Sequence, residues 1–115
     1  MHEYPVTREF INIASQKARE ANARRVTRIC LVVGEQSGFA PESLQMYFEM
    51  IAEGTICENA ALEITTVKTQ WYCPRCDAPY ARRPLSFACP RCGRDGKPTS
   101  VGREFYVDRI EVAEQ

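Results

Sequence analysis

Apolar positions recur at helical spacing over the first twenty residues. In PVTREFINIASQKAREANAR, Val6, Phe10, Ile13, Ala14, Ala18 and Ala21 fall on one face of a 3.6-residue repeat, and Pro5 suits its first turn. The pattern then changes to RVTRICLVVG, an apolar run rich in β-branched residues that reads as a buried strand ending at Gly34. Beyond the turn-forming GEQSGFAP, Leu44, Tyr47, Phe48 and Ile51 mark one face of a second helix. Pro41 stands near its start, and Gly54 suits its left-handed cap. LEITTVKTQWY alternates as a second strand running directly into a cysteine pair, and REFYVDRIEV offers Tyr106, Ile110 and Val112 to one face of a third.

These elements predict an α+β fold: a small mixed three-stranded sheet with two helices on one face, plus an inserted zinc-ribbon-like module. The helix between the first two strands permits a right-handed parallel crossover. The second and third strands flank the insert and are expected to pair antiparallel with each other, as the legs of a long hairpin. The predicted division places residues 1–70 with 103–115 in an α/β domain and 71–102 in a zinc-binding domain.

The insert carries the strongest chemical pattern. Cys73, Cys76, Cys89 and Cys92 read C-x2-C-x12-C-x2-C, and each pair spans a turn tight enough for both sulfurs to reach one ion. Pro74 and Pro90 stiffen those turns, and Gly93 follows the second. Two matched pairs are better explained by one tetrathiolate site than by a redox C-x-x-C, with zinc ahead of a rubredoxin-like iron. Four sulfurs close the coordination shell, so the metal is expected to be structural. Cys30 is expected to be a small buried hydrophobe, and Cys57 an exposed thiol with nothing nearby to activate it.

Composition removes several classes. Fifteen basic residues balance fifteen acidic ones, which gives no support for nucleic-acid binding. No apolar run reaches the length of a membrane span and no secretory signal is visible, so a cytoplasmic protein is expected. No G-x-S-x-G, phosphate loop or H-E-x-x-H occurs, and the single histidine lies at position 2, so catalysis is not expected. A zinc-ribbon adaptor for nucleic acid or protein is the alternative reading.

That histidine stands in MHEYP. Its size should spare Met1 from trimming, leaving the α-amine, the His2 amide nitrogen and the His2 Nδ1 as adjacent donors to one metal. The Glu3 amide nitrogen or carboxylate supplies a fourth. Deprotonated amides and imidazole suit square-planar Ni(II) or Cu(II), with copper first on affinity alone.

The opening Met-His-Glu, the strand ending VVGE, the stretch SGFAPESLQMYFEMIAEGT and the paired CPRC knuckles together resemble the HypA/HybF family of nickel metallochaperones over essentially the whole chain. The resemblance implies transient nickel at Met1, His2 and Glu3, and structural zinc at Cys73, Cys76, Cys89 and Cys92. It further implies nickel delivery to the nickel-iron hydrogenase large-subunit precursor alongside the GTPase HypB, with urease maturation served by some members. No nucleic-acid or membrane partner is implied, and the chain is expected as a monomer or homodimer. Tyr4-Pro5 replaces the family's common Leu-Ser, and Gln36 occupies a position that is often apolar; Glu42 is the candidate auxiliary ligand from that loop.

Overall fold

The computed structural model describes residues 2–114, and within them the chain forms two helices and six strands. Helix α1 (Glu3–Glu20) is followed by β1 (Ala23–Gly34), α2 (Pro41–Ile51) and β2 (Ala61–Val67). Three short strands come next: β3 (Trp71–Cys73), β4 (Ala78–Tyr80) and β5 (Lys97–Pro98). The long β6 (Phe105–Glu114) closes the chain.

The buried stripe of α1 is Glu3, Thr7, Phe10, Ile11, Ala14, Ser15 and Ala18, a regular i, i+4, i+7, i+8 series. It differs from the expected stripe because three of its members are polar. Ile11 takes the inward place expected of Ile13, which is exposed, as is Ala21. Thr7 satisfies its hydroxyl by donating to the Glu3 carbonyl at 2.6 Å, and Ser15 meets the Cys57 sulfur at 3.6 Å. Burial is thereby open to these polar groups. Leu44 and Phe48 anchor α2, and the Phe10 and Phe48 rings stack at 6.2 Å between centroids.

The larger sheet has the order β2-β1-β6, with β1 parallel to β2 and antiparallel to β6. The parallel crossover through α2 is as expected. The expected pairing of the second long strand with the last is not formed: both lie against β1, one on each side. Strand β1 buries Val26, Ile29, Leu31 and Val33 beneath the helices and Cys30 on the opposite face, and a strand apolar on both faces takes the middle position.

Two further corrections have local causes. In β6 the register against β1 skips Asp108, because Cys30 faces Arg109 while Leu31 faces Val107. This bulge reverses the alternation, so Phe105, Val107, Ile110 and Val112 reach the core whereas Tyr106 is exposed. Strand β2 does not run into the cysteines but stops at Val67, and the Thr69 N–H turns aside to the Glu35 carboxylate at 2.9 Å.

The smaller sheet, of order β4-β3-β5, carries the cysteine module. Its buried residues, Cys73, Tyr80 and Cys89, with Trp71 packed against them, form a cluster separate from the core under α1 and α2.

Candidate functional site

Each cysteine pair sits in a knuckle built by the backbone. The Cys76 N–H donates to the Cys73 sulfur and the Arg91 N–H to the Cys89 sulfur, both at 3.4 Å. Gly93 has φ +80°, and its N–H returns to the Cys89 carbonyl at 2.8 Å. Strand β3 ends in Cys73, which brings the first knuckle over the second, and all four sulfurs lie within 4.8 Å of one another. The sulfurs are 3.5 Å apart for Cys73 and Cys92 and 4.0 Å for Cys76 and Cys89. A tetrahedral ion with bonds of about 2.3 Å requires sulfurs about 3.8 Å apart, so the donor set fits such an ion.

Two of the thiols are moved in opposite directions. Backbone N–H groups of Cys92 and Arg91 bring the Cys89 thiol down to about 7. Burial, together with hydrogen bonds among the neighbouring thiols, pushes Cys76 up to about 12. Of these two, Cys89 is the thiol that ionises first. Among the described residues this is the one group of His, Cys, Asp or Glu side chains that converges as three or more.

The remaining two thiols are both buried. Cys30 behaves as expected, its thiol raised by burial. Cys57 is not exposed: it packs beneath Ser15 and the Ile11 carbonyl, and burial raises its thiol also.

Met1 lies outside the described residues. His2 is exposed at the N-cap position of α1 and makes no side-chain capping hydrogen bond. Glu3, the first helical residue, is only 2% exposed, and its Oε2 accepts the Ala40 N–H at 3.0 Å. The Glu3 side chain therefore joins the start of α1 to the start of α2, while Glu42 stands exposed in the first turn of α2. Sequence reasoning had no signal for Ala40 as a partner, since only its main chain takes part.

The loop between β1 and α2 touches the path to the cysteine module at its other end. Besides the Glu35–Thr69 contact, the Gln36 N–H donates to the Gly102 carbonyl at 2.6 Å. Gly102 has φ +104°, and a Cβ there would lie 2.8 Å from the Thr69 Cα; a Cβ on Gly34 would strike the Gly102 carbonyl. Residues 34–40 thus run from the two chain segments entering the module to the residue that Glu3 holds, beside His2.

With this geometry established, comparison with known proteins places the chain. A family model described as hydrogenase/urease nickel incorporation metallochaperone HypA matches residues 1–112. The hydrogenase maturation factor HypA of Caldanaerobacter subterraneus subsp. tengcongensis is 34% identical over 113 residues, covering 97% of this chain and 99% of the relative. That of Dehalococcoides mccartyi is 34% identical over 115 residues, covering 100% and 97%. The solution structure of the Ni metallochaperone HypA from Helicobacter pylori superposes with a TM-score of 0.66 at 24% identity, all of both chains being covered, and so shares the fold. The chain belongs to the HypA family of nickel-incorporation metallochaperones of hydrogenase maturation.

Proposed function

We propose that this chain binds one Ni(II) through Met1, His2 and Glu3 and delivers it to the nickel-iron hydrogenase large-subunit precursor, with HypB as the GTPase partner. The matched family model is described for hydrogenase and urease nickel incorporation, so urease maturation is the alternative client, and the work is done in the cytoplasm. The chain loads and releases its cargo without catalytic turnover. Cys73, Cys76, Cys89 and Cys92 hold one Zn(II), which supplies fold to the module and no open coordination position.

The observation that carries this reading is the contrast between neighbours. His2 is exposed and unused by the helix it begins, while the adjacent Glu3 is buried and rigidly tied to Ala40. An imidazole next to a fixed main chain can close chelate rings with its own amide nitrogen, and the Glu3 main-chain nitrogen is the better fourth donor because its carboxylate is engaged. The donors must lose protons, so nickel is expected to leave as pH falls.

Calorimetric titration of untagged, zinc-loaded protein with Ni(II) tests the assignment. One nickel per chain is expected, with binding lost in His2→Ala and in a variant carrying one extra residue before Met1. Parent-like affinity in both would place the nickel elsewhere.

A further inference from the structure

Strands β1 and β2 run parallel and end side by side, Gly34 against Val67, and α2 begins close to them at Pro41. The carboxyl ends of parallel strands are where open sheets form their crevices, and a helix start adds the positive end of its dipole. Two cavities adjoin here. The first, of about 250 Å³, is lined by Val33, Phe39, Pro41, Thr66 and Val67. The second, of about 500 Å³, lies between this end of the sheet and the cysteine module, with Lys68 and Thr69 on one side and Arg82 and Pro84 on the other. Glu35 and Lys68 line both.

The larger cavity has positive charge to spare. Among the described residues neither Lys68 nor Arg82 forms an ion pair with a carboxylate. Glu35 is the one acid on the lining, and its Oε1 already accepts the Thr69 N–H at 2.9 Å. Arg82 is held in place: it donates to the Ser86 carbonyl at 3.1 Å and lies 4.9 Å from the centre of the Phe87 ring. That leaves most of its five N–H donors for a ligand. The Thr69 hydroxyl oxygen is buried beside the same cavity without a hydrogen-bond partner, a rare state for a polar atom.

A free strand edge leads to this place. Strand β2 is an outer strand of the larger sheet. The Glu35 N–H donates to the Val67 carbonyl at 2.8 Å, so the Val67 main chain faces β1. By alternation the main chains of Ile64 and Thr66 face away from it, with donors and acceptors open to a further strand. Residues two apart in an added strand stand about 6.6 Å apart on one side of it. Two such side chains can enter the two adjoining cavities, an apolar one the first and an acidic one the second.

We propose that the edge of β2 receives an extended segment of a partner protein with an apolar residue and an acidic residue two positions apart. Its main chain pairs with Ile64 and Thr66, its apolar side chain enters the cavity beside Phe39 and Pro41, and its carboxylate lies between Lys68 and Arg82. Because Lys68 follows the larger sheet and Arg82 belongs to the cysteine module, the carboxylate bridges the two modules as it binds. The site is separate from the nickel donors and requires a folded cysteine module.

Amide NMR of the full-length, zinc-loaded chain at low ionic strength tests this, with the acetylated peptide amide Thr-Val-Leu-Thr-Asp-Thr as the probe. Shifts are expected at Ile64, Thr66, Lys68 and Arg82, weakening as salt is added. The counterpart peptide with Asn for Asp is expected to bind at least about tenfold less tightly, as is the Asp peptide to Lys68→Glu and to Lys68→Glu with Arg82→Glu. Lys68 is exposed, so its variant should keep its zinc and its circular dichroism. A peptide with Lys for Asp is expected to bind the doubly reversed protein better than the parent, which general destabilisation could not produce. Four results would overturn the proposal: no shifts at millimolar peptide, equal binding of the Asn and Asp peptides, parent-like binding by the reversed proteins, or inorganic phosphate binding as tightly as the peptide. The last would make this a site for small anions.

Discussion

Glu3 is a residue whose two halves do different work. Its main chain follows His2 into the helix, while its carboxylate is buried against Ala40 and fixes where α2 begins. Removing the carboxylate leaves the Ala40 N–H without its partner, and hydrogen bonds to charged groups are worth about 1.5–3 kcal/mol. Glu3→Ala should therefore lower stability by that amount in urea unfolding, and Glu3→Gln by less, since an amide oxygen can still accept. If the Glu3 main-chain nitrogen is the nickel donor, Glu3→Gln should keep nickel affinity close to the parent's. A complete loss would assign the carboxylate instead. At this scale the sequence was partly legible. The apolar stripe read from Val6 onward located the helix but not Glu3 within it, because a buried acid does not register as an apolar position. Its tie to Ala40 could not be read, because the partner is a backbone group 37 residues away.

Among the elements, the loop between β1 and α2 does more than connect. Its Glu35 carboxylate caps the Thr69 N–H just past the end of β2, and that hydrogen bond holds the Glu35 carboxyl below the usual carboxylate range. A lowered acid contributes its tie fully above its ordinary value and loses it as pH falls through the lowered one. Exchange of the Thr69 amide proton should thus be slow at neutral pH, corrected for intrinsic rates, and lose protection in acid. In Glu35→Gln that protection should no longer follow pH; an unchanged pH response would remove Glu35 from the account. Strand type and order along the chain were legible from apolar runs, and the parallel crossover from the helix within it. The partner of β6 was not, because adjacency in sequence suggested β2 while burial on both faces put β1 between them. The bulge at Asp108 was equally hidden, since one skipped residue changes which side chains face inward without altering composition.

Taken whole, the molecule has two apolar clusters that share no buried residue. The one beneath α1 and α2 contains Phe10, Leu44 and Phe48 and is sufficient for a small domain. The other has Tyr80 and two cysteines as its buried members, too little to hold β3, β4 and β5 without a metal. Removing zinc with a strong chelator should collapse the amide NMR signals of residues 71–102 while those of α1, β1 and β6 stay dispersed. Loss of both sets together would mean that the clusters fold as one. The cysteine spacing made this module legible from the start.

The order β2-β1-β6 has a mechanical consequence. The two segments that carry the cysteine module leave the larger sheet from its outer strands, about 10 Å apart across β1. They then converge where Gly102 lies against Thr69, above Gly34, so that together they form an A-frame. A load on two splayed legs can rock in the direction perpendicular to their plane, but it cannot spin about its own axis without stretching one leg. Motion of the cysteine module relative to the helices is therefore a nod with a single direction, about a junction where Ala81, Arg82 and Pro84 line one cavity with Glu35, Gln36 and Thr69.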